Sequence, residues 1–218
     1  MSFRYGAVGE AGLAFFGKVS SVACHELKNV LAIINENNGL LEDMIFMAGK
    51  GKAIEPERLG RVCEGVSKQI RRADELLQHI SRFAHSVDQF EEEIRLEDCC
   101  RLVIVLARRL TAARKLTVEV EAASGEARLA SGNPFLVENL VWAALVEAMR
   151  FCEDGGLMRL MPGERDGRPL VAFTGLDRLN EDYRPASPLT ELLAAVPARW
   201  QAHPAAQGCE LIFTECEN

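Results

Sequence analysis

Cys24, His25, Glu26, Leu27, Lys28 and Asn29 bring an imidazole, a carboxylate, an ammonium and an amide into six consecutive residues. A neutral imidazole is nucleophilic near physiological pH, so His25 is the candidate that could form a covalent intermediate. Asn29 lies four residues on, one helical turn away on the same face, and Glu26 flanks that face. Zinc is excluded as the use of this cluster, because the helical His-Glu-x-x-His motif needs a second imidazole where Asn29 stands. No metal ligand set is expected elsewhere.

The segment that carries these residues reads as a helix from Leu13 to Ala48. Leu13, Phe16, Ala23, Leu27, Val30, Ile34, Leu41, Ile45 and Ala48 recur at three- and four-residue steps, which is the stripe of a helix packed on one side. His25 falls off that stripe, toward solvent. Gly49, Lys50, Gly51 and Lys52 break the helix, and Pro56 opens a second one from its favoured first-turn position. That second helix, with Leu59, Val62, Val66, Ile70, Ala73, Leu77, Ile80 and Phe83 at helical spacing, is expected to run to Asp88. Two long helices and a short turn make an antiparallel hairpin. Such a hairpin cannot bury two wide apolar stripes alone, so a homodimer forming a four-helix bundle is expected.

Composition bounds the class of protein. The chain has 218 residues, 48% of them hydrophobic, which suits one or two domains with a real core. No apolar run reaches the length of a membrane span and the N-terminus lacks a signal-peptide pattern, so a cytoplasmic location is expected. Seven cysteines without a Cys-x-x-Cys pair read as reduced thiols. A net charge of -7 disfavours nucleic acid and anionic membrane as main partners, although Arg108, Arg109, Arg114 and Lys115 form a local basic cluster.

Beyond an acidic connector at 89–93, the pattern changes. A helix is expected from Glu97 to Arg114, an alternating strand over residues 116–120, and a helix capped by Asn133 and Pro134 that runs to Cys152. Strands at 157–161 and 170–174 flank a turn at Arg165, Asp166 and Gly167. A helical pattern from Ser187, interrupted by Pro197, and a last strand at 210–214 complete an α+β layer of helices on a mixed sheet. The expected division is a lead-in at 1–12, the hairpin at 13–90 and the second domain at 94–218.

The run from His25 through Val30, Leu31, Ala32 and Ile33 resembles the phosphoacceptor box of two-component histidine kinases. The order of elements after residue 94 is similar to their ATP-binding domain. That resemblance implies Asn side chains on the helix after the first strand, but Ala143 and Glu147 stand there. It also implies an adenine-reading Asp-x-Gly-x-Gly box after residue 174, where the chain has Gly175, Leu176, Asp177, Arg178 and Leu179. A hairpin that keeps the histidine and loses the nucleotide site resembles the ChpT-type histidine phosphotransferases, dimeric proteins with a degenerate ATPase-like domain.

That family implies a phosphorelay through phosphohistidine at His25 between response-regulator receiver domains. The receiver would supply Mg²⁺, and this chain would need no ATP or other cofactor. By the same resemblance Glu26 bonds the second ring nitrogen, Asn29 orients water for receiver phosphatase activity, and Lys28 meets an acidic receiver surface. Two other classes compete: a divergent ATP-dependent histidine kinase, distinguished by ATP binding, and a non-catalytic adaptor or inhibitor of two-component proteins, indifferent to loss of His25. His79, His85 and His203 carry no partnered motif, and Trp142 and Trp200 read as packing residues.

Overall fold

A computed structural model describes residues 6–89, 91–121, 127–180 and 183–214. Its contacts divide the chain into two compact units, Ser20–Arg82 and Met1–Val19 with Phe83–Asn218.

The first unit is the hairpin. Helix α1 spans Gly6–Gly49 and α2 spans Pro56–Ser86. The glycine turn works through Gly51, whose φ of +86° favours a residue without a Cβ. Val22, Ala23, Val30, Met44 and Val62 are buried in this unit. Gly65 sits where a Cβ would lie 3.1 Å from Asn37 Oδ1, so a glycine permits the close approach of the two helices. The stripe read from sequence differs here: Ile45 is 67% exposed, whereas its neighbour Met44 is buried. The reason is that α1 is apolar on two faces, and spacing alone does not say which face is inward.

The second unit begins inside what the sequence assigns to a lead-in, because Gly6–Gly12 forms the first turns of α1. Phe15 and Val19 are buried there, while Leu13 and Phe16 are exposed, the reverse of the expected stripe. Phe15 packs edge-on to Phe83 at 5.1 Å and tilts on Trp142 at 5.3 Å. Phe135 joins the same aromatic cluster. The contact boundary therefore falls within α1 and α2, whereas the sequence places it at residues 90–94.

Strand β1 (Glu92–Arg95) precedes α3 (Leu96–Ala113), β2 (Thr117–Val120), β3 (Arg128–Gly132) and α4 (Pro134–Met149). Then come β4 (Leu157–Arg165), β5 (Arg168–Thr174), α5 (Leu189–Ala195), β6 (Ala198–His203) and β7 (Gly208–Phe213). The main sheet has the order β2-β4-β5-β7-β6, with only the β2-β4 pair parallel, and β1 pairs with β3 in a separate ribbon. The fold is α+β. Met158, Leu160, Val171, Phe173, Cys209 and Leu211 line the sheet's core side, and α4 is buried along most of its length.

Several local expectations hold. Asn133 Oδ1 accepts from the Leu136 amide at 2.9 Å, capping α4 behind Pro134. Asp166 and Gly167, both at positive φ, form the two-residue turn between β4 and β5. Three strands were absent from the expected order. In β1 only Ile94 is buried, β3 is small and polar, and β6 lies inside the segment whose apolar residues read as a helix around Pro197. β1 and β3 carry no hydrophobic alternation to detect, whereas β6 does alternate, with Ala198, Trp200 and Ala202 packed on the core and Arg199 and Gln201 exposed, a pattern that the reading of a helix around Pro197 passes over.

Candidate functional site

His25 is exposed on α1, within the hairpin unit. Its Nδ1 lies 3.1 Å from Asn29 Nδ2, one turn along the helix, so the amide is the group in contact with the ring. The resemblance assigns the ring's second nitrogen to Glu26 instead. Neighbouring residues on a helix point about 100° apart and do not face each other, whereas residues four apart do. Glu26 accordingly turns to the other helix, where Arg72 donates to its Oε2 at 2.7 Å. Lys28 and Cys24 are exposed beside these groups.

Arg72 carries no local signal in the sequence. It stands 46 residues from Glu26, and nothing in its own surroundings marks it. Only the antiparallel pairing of α1 and α2 brings it to the site.

In the second unit, Ala143 and Glu147 are the residues that the sequence resemblance sets at nucleotide-binding positions. Ala143 has no ligand atom. Glu147 accepts from the Tyr183 hydroxyl at 3.0 Å and from Arg150 at 3.1 Å on both oxygens, so its carboxylate is spent inside the protein. Burial, with the Glu147 carboxylate, pushes the Tyr183 phenol above its ordinary value. Gly175 has φ +83°, and a Cβ there would lie 2.2 Å from the Leu157 carbonyl oxygen. The turn's geometry explains that glycine. Asn139, four residues before Ala143 on α4, is buried, and its Nδ2 has no partner among the described residues.

Of the basic cluster, Arg114 is committed to the fold. Its guanidinium reaches Asp154 at 2.8 Å, the Cys152 carbonyl at 2.8 Å and the Met149 carbonyl, tying down the end of α4. Cys99, Cys100, Cys152 and Cys209 are buried, and Cys24 and Cys63 are exposed. Cys216 lies outside the described residues. Burial pushes the Cys152 thiol up to about 11 and those of Cys100 and Cys209 higher still, which keeps them inert as thiols. His203, read from sequence as unpartnered, lies on β6 with Nε2 3.1 Å from Glu210 Oε2, and Arg165 holds the same carboxylate. No described helix is long and apolar enough to cross a membrane.

No family model and no curated protein matches the chain. Among solved structures, a bacterial phosphotransferase is 15% identical at a TM-score of 0.46, covering 97% of this chain and 98% of that one. The histidine kinase AdeS of Acinetobacter baumannii is 13% identical at a TM-score of 0.45, covering 89% and 98%. A histidine kinase, ThkA, in complex with the response regulator protein TrrA is 14% identical at a TM-score of 0.45, covering 92% of this chain and 61% of that one. Likenesses this distant carry no argument about activity. The case for function rests on this chain's own residues.

Proposed function

We propose that this protein is a histidine phosphotransferase, relaying a phosphoryl group between response-regulator receiver domains through phosphohistidine at His25. The observation that carries the reading is the exposed His25 imidazole on a rigid helical hairpin, with the Asn29 amide in contact with its Nδ1. Transfer from an aspartyl phosphate needs little more of this chain than a nucleophile presented in line. The receiver brings the acyl phosphate and its Mg²⁺.

The second unit supports relay over ATP-driven phosphorylation. Glu147 is engaged by Tyr183 and Arg150, and Ala143 offers no ligand. One observation favours the rival reading of a divergent kinase: the buried Asn139, whose Nδ2 has no partner among the described residues, lies on the helix where such kinases carry their Asn ligands. Calorimetry with ATP and Mg²⁺ separates the two. Absence of binding supports the relay, and micromolar binding or autophosphorylation promotes the kinase.

Assembly belongs to the same reading. Leu31 (62% exposed), Ile45 (67%), Ile70 (56%) and Leu77 (51%) leave each helix with an uncovered apolar face, as a hairpin that pairs with a second copy would. We propose a homodimer acting in the cytoplasm. The decisive experiment incubates the protein with labelled phospho-receivers. Label is expected on the native chain and absent from His25→Ala, whose exposed side chain supports no core contact. Label on His25→Ala would refute the assignment of the site. Retained physiology in cells carrying that variant would favour an adaptor.

A further inference from the structure

His25 has two ring nitrogens, and only an unprotonated one can attack phosphorus. Which one carries the proton is set by what the other bonds. With Asn29 Nδ2 turned to Nδ1 at 3.1 Å, the amide donates and Nδ1 accepts, which places the ring proton on Nε2. The group that would favour the opposite tautomer is a carboxylate at Nδ1. Glu26 is the nearest one in sequence, but its Oε2 is held by Arg72 from α2 at 2.7 Å.

We infer that Asn29 is the positioning residue that sets the tautomer of His25, and that the Glu26 carboxylate, engaged by Arg72, takes no part in it. The consequence for transfer rests on the phosphotransfer reading above. In the resting arrangement Nε2 bears the proton and cannot attack. When the Asn29 side chain turns over, Oδ1 accepts from Nδ1–H and the Nε2 lone pair is freed. Nε2 then bonds to phosphorus as the aspartyl carboxylate departs with the electrons of its P–O bond. The ring is left cationic, with its proton on Nδ1 held by Oδ1, and that proton is subsequently lost to water. An amide serves both halves because it offers a donor and an acceptor at the same place. A carboxylate at that point offers only the acceptor.

The test is nitrogen-15 NMR of the ring in the full-length protein, unphosphorylated and read across a pH series. Native protein is expected to carry the proton on Nε2, Asn29→Asp to carry it on Nδ1, and Glu26→Gln to match the native tautomer. A native proton on Nδ1, an unaltered tautomer in Asn29→Asp, or a displaced one in Glu26→Gln would overturn the inference. The same three proteins are then offered a labelled phospho-receiver. If none accepts label while the tautomers behave as stated, the phosphotransfer reading fails and the assignment to Asn29 stands. If label transfers but the tautomers do not respond, the assignment fails alone.

Discussion

At the scale of the residue, the helix geometry decides which side chains meet His25. Asn29 lies one turn along and reaches the ring, while Glu26 is adjacent in sequence and faces another way, onto Arg72. That ion pair is half in solvent, with side-chain exposures of 43% and 22%, so screening limits its contribution. Arg72→Ala is expected to lower stability by no more than about 1 kcal/mol in urea denaturation. Phe83→Ala is the contrasting case. Its ring is 1% exposed and packs on Phe15 and Phe135, and its loss should cost about 3–5 kcal/mol by the same measurement. A small effect at Arg72 beside a large one at Phe83 would show that the fold is held by the aromatic cluster and not by this ion pair.

At the scale of the element, the two long helices each carry more apolar surface than one hairpin covers. Leu31 and Leu77 stand on the uncovered faces. The double variant Leu31→Glu, Leu77→Glu should sediment as a monomer at concentrations where the native protein is a dimer, with helical circular dichroism preserved. A native protein that sediments as a monomer at micromolar concentration would contradict the bundle. Helix α4 depends on a smaller device. Asn133 satisfies the Leu136 amide, so Asn133→Ala should lower the stability of the second unit by about 1 kcal/mol in the same denaturation experiment.

At the scale of the whole molecule, three buried thiols and one half-buried phenol respond to alkali with one sign. Cys152 ionises near 9 as an ordinary thiol and near 11 in the fold, and Cys100, Cys209 and Tyr183 are displaced upward in the same way, chiefly by burial. A pKa raised by folding contributes stability that is fully present below the unfolded value and lost as pH climbs through the folded one. The melting temperature should therefore hold steady from neutrality to about pH 8 and fall between about pH 9 and 11. Cys152→Ala should make that alkaline fall shallower, read by melting curves across the range.

The sequence by itself determined the hairpin, the position of His25 on an exposed face, the cap at Asn133 and the turn at Asp166 and Gly167. Each of these depends on residues within one or two turns of one another, where spacing and side-chain type are sufficient. The α+β class followed from the same local signals. What the sequence left open is what depends on pairing between distant segments. Spacing could not say whether Ile45 or Met44 faces inward, since α1 is apolar on two sides and its partner helix makes the choice. Strands β1 and β3 exist through the ladder between them rather than through patterns of their own. The bond from Tyr183 to Glu147 joins residues 36 apart and has no local signal either. Arg72 entered the site only because two antiparallel helices bring residues 46 apart to within a hydrogen bond, a coincidence in space that no local pattern records.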